Sequence, residues 1–204
     1  MRALTVIKSC QRYIARRQAV RETWLPLLDW TEHLFVIGGP GNVREDDVLH
    51  LPNHADDFPN IAPKVAMACR WAVGRGYDYV FVCDDDTYVR PLRLESAVPV
   101  GSDYVGYLRD GAGFGTPYIQ GSAYWLSRRA AEIVAYSTYM VNGVIDDGAV
   151  GQALLGQVHF VHDDRYEPGP IWNQRYPRRD NDLVTTHKCL PGDMRAVHQL
   201  WDTT

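Results

Sequence analysis

The sequence predicts an α/β layered domain whose functional residues sit at the carboxyl ends of its strands. Two observations lead there. Short apolar runs suited to buried strands alternate with helix-spaced segments through the first half of the chain, and the run Tyr79–Cys83 ends in three carboxylates, Asp84, Asp85 and Asp86. Three adjacent carboxylates repel one another, so at a strand end they must be solvated, hydrogen-bonded or neutralised by a cation. Side chains alternate along extended backbone, so Asp84 and Asp86 point one way and Asp85 the other. A hard divalent ion together with ligand phosphates suits that arrangement. A solvated loop or a helix N-cap is the plain alternative.

Ala3–Ile7 reads as the first buried strand, and the arginine-rich segment Arg17–Trp24 as a helix closed near Pro26. On that helix Arg17 and Arg21 share one face, able to meet phosphate or nearby acids. His33–Ile37 is a second strand, ended by the turn signal GGPGN at 38–42. The polar stretch that follows, broken by the apolar run Val48–Leu51, reads as a solvated connection. A helix from Asn60 carries Pro63 in its first turn, apolar residues at helical spacing, Lys64 near its start and Gly74 and Gly76 at its end. It feeds the acidic strand.

After the acids, Arg90-Pro91 opens a short helix, and Asp103–Leu108 is a further strand. A glycine-rich loop spans Asp110–Gly121, then comes a strand, Ser122–Leu126, and Ser127 caps the next helix. Gly121 beside Tyr124 and Trp125 would let a sugar or base approach the backbone, although aromatics in strands more often serve the core. Asp146 and Asp147 precede a small-residue helix in Val144–Leu155, where the macrodipole favours carboxylates. Val158–Val161 reads as a further strand, residues 163–182 as a loop, and the tail from Val184 carries a strand-like start, His187, a Pro-Gly break and a short amphipathic helix.

At 204 residues, 46% hydrophobic and 23% charged, the chain is long enough to bury one core and is not disordered. A net charge of −4 gives no bulk affinity for nucleic acid, though a local basic patch such as Arg175–Arg179 stays open. Cys10, Cys69, Cys83 and Cys189 lack C-x-x-C spacing, which argues for buried thiols in a reducing compartment rather than a zinc site, with one or two disulfides left open. The start is too short in apolar residues for a signal peptide, and there is no apolar stretch of about 18 to 20 residues to span a bilayer. The expectation is a soluble cytoplasmic protein. No GxGxxG, Walker or G-x-S-x-G motif occurs.

The motifs RRQAVRETW, FPNIAPKVAMACRWAVGRGYDYVFVCDDDTYV, YIQGSAYWLS, IDDGAVG and THKCLPGDM, in that order, resemble the inverting glycosyltransferases of the GT-A fold that include the β-1,3-galactosyl- and N-acetylglucosaminyltransferases and the Fringe proteins. The resemblance runs from Arg17 to Met194. It implies a single Rossmann-like α/β/α domain over 1–204 with a mixed central sheet, a donor-binding half to about residue 90 and an acceptor and catalytic half beyond. It also implies a nucleotide-sugar donor, usually a UDP-sugar, held through Mn²⁺ or Mg²⁺ by a D-x-D motif.

By that resemblance Asp84, Asp85 and Asp86 are the D-x-D residues, with Asp86 the direct metal ligand and His187 a C-terminal one, a mixed set that Mn²⁺ accepts. Arg17, Arg21 and Lys64 are donor contacts, and Tyr118, Gly121 and Trp125 belong to the acceptor side. IDDGAVG matches an acid pair that supplies the general base, Asp147 or Asp146. Asp146 stands where the family has Glu and Gly148 where it has Val, which leaves the choice between the two acids open. Secretory members carry an anchor and stem, so the expectation is a bacterial or viral cytosolic enzyme or a truncated chain. The acceptor stays open among glycan, protein and modified nucleic acid, since acceptors vary widely on one scaffold. A metal-dependent nucleotide-sugar hydrolase and an inactive nucleotide-sugar-binding module are the alternative functions.

Overall fold

A computed structural model describes residues 1–39, 43–52, 54–57, 60–111, 115–141, 143–167, 169 and 182–201. The loop around Gly113 and the Arg175–Arg179 patch lie outside the described residues. The elements in order are β1 (Ala3–Lys8), α1 (Ile14–Glu22), a 3-10 turn (Leu25–Leu27), β2 (Glu32–Gly39), β3 (Val43–Glu45), β4 (Val48–Pro52), α2 (Ile61–Val73), β5 (Tyr79–Asp84), β6 (Tyr88–Val89), α3 (Pro91–Ser96), β7 (Tyr104–Arg109), β8 (Tyr118–Ser127), α4 (Arg128–Tyr136), α5 (Asp146–Leu154), β9 (Phe160–His162), β10 (Tyr166–Glu167), β11 (Thr185–Thr186) and α6 (Pro191–Trp201).

The main sheet has the order β3-β4-β2-β1-β5-β8-β7-β9, and a small sheet has the order β10-β11-β6. Strands β4, β2, β1 and β5 run parallel. The direction reverses at β8, which pairs antiparallel with both β5 and β7. The sheet is therefore mixed, and the β5 to β8 junction is where its polarity switches, a place where α/β sheets leave a crevice.

Alternation along the central strands sends side chains to two cores. Leu4, Val6, Val80, Val82, Tyr124 and Leu126 pack under α2, α4 and α5. Ile7, Phe81, Cys83 and Trp125 face α1, α3 and α6 through Val20, Leu94 and Met194. The result is an α/β/α sandwich, as the alternation of elements in sequence predicts. No described helix is long and apolar enough to cross a membrane, and all four cysteines are buried free thiols.

Three expectations change. The stretch after β2, read as a solvated connection, contributes β3 and β4, and β4 extends the parallel ladder with Leu49 and Leu51 buried. The apolar signal there is two leucines at strand spacing, submerged among acids. The loop read through Gly121 ends earlier, because Tyr118 and Ile119 already pair with Arg109 and Leu108, beyond a register shift where β8 carries the extra residues. The Pro191-Gly192 break is instead the start of α6, consistent with proline's fitness for a first helical turn. Ser127 caps α4 as expected, its Oγ accepting the Ala130 N–H at 3.2 Å.

Candidate active site

The parallel register of β1 and β5 sets Lys8 opposite Asp84 at the carboxyl edge of the sheet. The chain turns at once, with Thr87 N–H donating to the Asp84 carbonyl at 3.1 Å, so Asp86 comes back beside Asp84. The tail is brought to the same place by β11, which pairs Thr186 with Tyr88, and by the Cys189 N–H donating to the Asp86 carbonyl at 2.8 Å. These links hold His187 with its Nδ1 3.3 Å from Asp86 Oδ1 and 4.0 Å from Asp84 Oδ2. One ligand atom from each of Asp84, Asp86 and His187 lies within 4.8 Å of the others.

The local chemistry fits a cation there. Burial pushes the Asp86 carboxyl above its ordinary value against the pull of His187, with the neighbouring Asp84 charge adding to the rise. A divalent ion would neutralise both acids, and two carboxylate oxygens with one imidazole nitrogen form a set that Mn²⁺ or Mg²⁺ can share with water and phosphate. Asp85 lies in the turn past the end of β5, so strand alternation does not set it opposite Asp86 as the sequence reading expects. It accepts from Ser9 Oγ at 2.6 Å and from Arg16 at 3.0 Å, and Arg16 also reaches Asp86 Oδ2 at 3.1 Å. Burial raises the Asp85 carboxyl to about 6 despite those two donors.

The second acid group opens α5. Asp146 and Asp147 are its first two residues, where the helix N-terminus favours negative charge. Asp147 accepts the Gly121 N–H at 3.2 Å and the Gly148 N–H at 2.9 Å. Asp146 accepts from the Lys8 ammonium at 2.5 Å. Burial alone would favour the neutral amine, but Asp146 and then Asp84 outweigh it and raise Lys8 above its ordinary value, so the lysine stays charged. A cavity of about 270 Å³ opens on the metal-cluster side, its lining including Lys8, Arg16, Lys64, Asp84, Asp85, Asp86 and His187.

Of the residues singled out from sequence, the structure brings together Asp84, Asp86 and His187, with Asp85 and Lys64 also on the cavity wall. Lys64 donates to Asp56 at 2.6 Å and to the Ser9 carbonyl at 2.7 Å. Arg17 is buried against the Cys10 and Gln11 carbonyls and Ser9 Oγ, where it braces the β1 to α1 turn. Arg21 is not brought to the cavity: it forms a two-pronged pair with Asp47 at 2.7 and 2.8 Å. Tyr118 lies near the acid pair, its hydroxyl raised by burial and then by the Asp147 charge. A Cβ on Gly121 would stand 3.3 Å from Asp147 Cβ, so the strand and acid pair are in contact there. Trp125 is placed in the opposite core, fully buried, with its Nε1–H on Tyr166 at 2.8 Å, and offers no surface to an acceptor. The alternation that puts Tyr124 under α4 and α5 is what sends its neighbour away.

Sequence reasoning passed over Lys8 and Arg16. Lys8 carried a usable signal, a charge on the same strand face as Leu4 and Val6 at the end of an apolar run. Arg16 was one residue from the arginine chosen.

No protein-family model matches the chain. The sequence is 26% identical over 242 residues to Beta-1,3-galactosyltransferase 6 of Mus musculus, an alignment that covers 96% of this chain and 72% of that protein. The structure resembles, with a TM-score of 0.62 and 12% identity, a crystal structure of a glycosyltransferase involved in the glycosylation of the major capsid of PBCV-1, over 98% of this chain and 100% of that one. That likeness shows the fold, an α/β domain with a mixed central sheet resembling the GT-A Rossmann-like fold. The chain is glycosyltransferase-like, related at low identity to known sugar transferases, and carries a candidate acidic and histidine metal cluster.

Proposed function

We propose that the protein is an inverting, metal-dependent glycosyltransferase that moves a sugar from a nucleotide-sugar, of the UDP type, to an acceptor hydroxyl. The observation that carries this reading is a two-sided site: the Asp84, Asp86 and His187 cluster on one side of Lys8 and the Asp146, Asp147 pair on the other. Displacement with inversion needs two separated functions, stabilisation of the leaving diphosphate and removal of the acceptor proton from the opposite side.

Asp84, Asp86 and His187 would hold Mn²⁺ or Mg²⁺, which when bound supplies Lewis-acid neutralisation of the departing diphosphate. Lys64 and Arg16 on the cavity wall add positive charge to the donor side. Asp147 is the proposed base. Its oxygens accept from neutral backbone N–H groups, whereas an oxygen of Asp146 is engaged by the Lys8 ammonium, so Asp147 is the freer to take a proton. The acceptor oxygen forms its bond to the anomeric carbon as the proton passes to Asp147, and the nucleoside diphosphate leaves with the bonding pair. Tyr118 and Gly121 stand beside that acid and are the proposed acceptor contacts. On this reading the half to about residue 90 binds donor and the remainder carries the acceptor chemistry.

A panel of UDP-, GDP- and dTDP-sugars incubated with Mn²⁺, with and without oligosaccharide and peptide acceptors, tests it. UDP-galactose is the first donor to try, because the mouse relative is named for galactosyl transfer. Transfer to an acceptor supports the reading. Free sugar alone in the presence of acceptors indicates a hydrolase, and nucleotide-sugar binding with no turnover indicates a binding module.

A further inference from the structure

Lys8 ends an apolar strand and is 5% exposed. A lysine that far from water needs its charge matched and its protons placed. Its ammonium has three N–H groups, and it meets three acceptors: Asp84 Oδ1 at 2.9 Å from β5, the Gly121 carbonyl at 2.8 Å from β8, and Asp146 Oδ2 at 2.5 Å from α5. One positive charge is thereby shared between two carboxylates that belong to different clusters. Asp84 turns its other oxygen toward His187.

We propose that Lys8 is a positioning residue that couples the acid pair to the metal-binding carboxylates, its hold on Asp84 being set by its hold on Asp146. This gives the site proposed above a link between its two sides, and it rests on that reading for its role in transfer. The physical consequence is a competition. When Asp146 loses its charge, the ammonium is left with Asp84 as its one charged partner and opposes a cation at that carboxylate more strongly. When Lys8 loses its charge, the state of Asp146 no longer reaches the metal cluster by this path.

The test is a titration of the full chain with Mn²⁺ alone, free ion being read by electron paramagnetic resonance, so that no donor or turnover is required. Asp146→Asn is expected to weaken Mn²⁺ binding by about three-fold or more, the low end of coupling within one hydrogen-bonded network. Asp147→Asn, whose partners are backbone N–H groups and not Lys8, should change it by less than about two-fold. In a Lys8→Met background, Asp146→Asn should have no further effect. Equal losses from the two Asp variants, or an Asp146→Asn effect of the same size with and without Lys8, would overturn the assignment. If Lys8→Met does not fold, the comparison of the two Asp variants in the native-lysine chain decides alone. A chain that transfers no sugar from any donor would defeat the transferase reading yet leave this titration readable.

Discussion

Gly151 gives the sharpest test of how the fold places the acid pair. It lies on α5, one turn beyond Asp147, where the helix presses on the start of β8. A Cβ there would stand 2.7 Å from the Pro117 carbonyl oxygen and 2.8 Å from Tyr118 Cβ. Ordinary contacts begin near 3.4 Å, so Gly151→Ala must open the helix–strand gap by roughly half an ångström or more, because one of the obstructing atoms is backbone. Two stability effects then oppose each other. Alanine gains about 1 kcal/mol of helix propensity over glycine, and overpacking costs about 1 to 3 kcal/mol, so the variant should lose between roughly 0 and 2 kcal/mol. Catalysis is the more sensitive readout. The same displacement stretches the 3.2 Å bond from Gly121 N–H to Asp147, and misplacing a catalytic group by about 1 Å can cost about 10²-fold. We expect kcat to fall about ten-fold or more with the donor KM within about two-fold. Gly192→Ala, where an added Cβ meets nothing within 4 Å, is the control and should be neutral or slightly stabilising. Denaturant midpoints and steady-state kinetics on both variants settle it: a Gly151→Ala enzyme with native kcat and a gain near 1 kcal/mol would refute the close packing of α5 on β8.

Three further outcomes follow from the site. Asp147→Asn should retain donor binding by calorimetry while turnover falls by roughly 10² or more, and full activity would move the base to Asp146. His187→Ala should weaken Mn²⁺ binding about ten-fold or more, and a native isotherm would remove His187 from the cluster. Asp56 is the pH-dependent brace: burial alone would raise its carboxyl, but Lys64, then the Gly38 and Gln11 N–H groups, hold it below its ordinary value. A depressed native value stabilises the fold above the unfolded value, and the stability is lost as pH falls from about 4 through the lowered value. Urea midpoints of Asp56→Asn between about pH 2.5 and 7 should therefore lie below native at neutral pH and converge with it in acid, whereas a constant gap would dismiss the ion pair as the cause.

How much of this was legible in the sequence depends on the range over which each residue's partner lies. The strand Tyr79–Asp84 follows from its apolar run, which is local, and the Ser127 cap from hydroxyl chemistry within one turn, whereas the expected opposition of Asp85 and Asp86 fails because the strand ends at Asp84 and one Arg16 nitrogen reaches both carboxylates in the turn. The sequence does not announce β4 because its burial is conferred by β2 and its other side is paired by β3, and two leucines among acids carry too little period to show it. The strand-like start of the tail is β11, but β6 and β10 are two residues each, too short for any period to be read, and it is the pairing of β11 with β6 that brings His187 to Asp86. Trp125 shows the opposite error, since an aromatic beside a glycine looks like a sugar platform until the strand's parity is fixed by its neighbours.

The arginines and Lys8 mark the boundary of what local pattern can say. Arg17 and Arg21 share one face of the helical wheel and Arg16 lies on another, but nothing within α1 says which face meets which acceptor. The structure gives each a different counterpart: Asp85 and Asp86 for Arg16, backbone carbonyls for Arg17 and Asp47 for Arg21. A cation's role is therefore decided by which acceptor the sheet register delivers to it. For Lys8 the register is explicit, because parallel pairing of β1 with β5 fixes it opposite Asp84, and the antiparallel pairing of β5 with β8 brings Gly121, and with it α5, to the same edge. The charge that touches both acid groups is thus a consequence of sheet order: its place on the buried face of β1 is legible locally, but its two partners are fixed only by strand pairing.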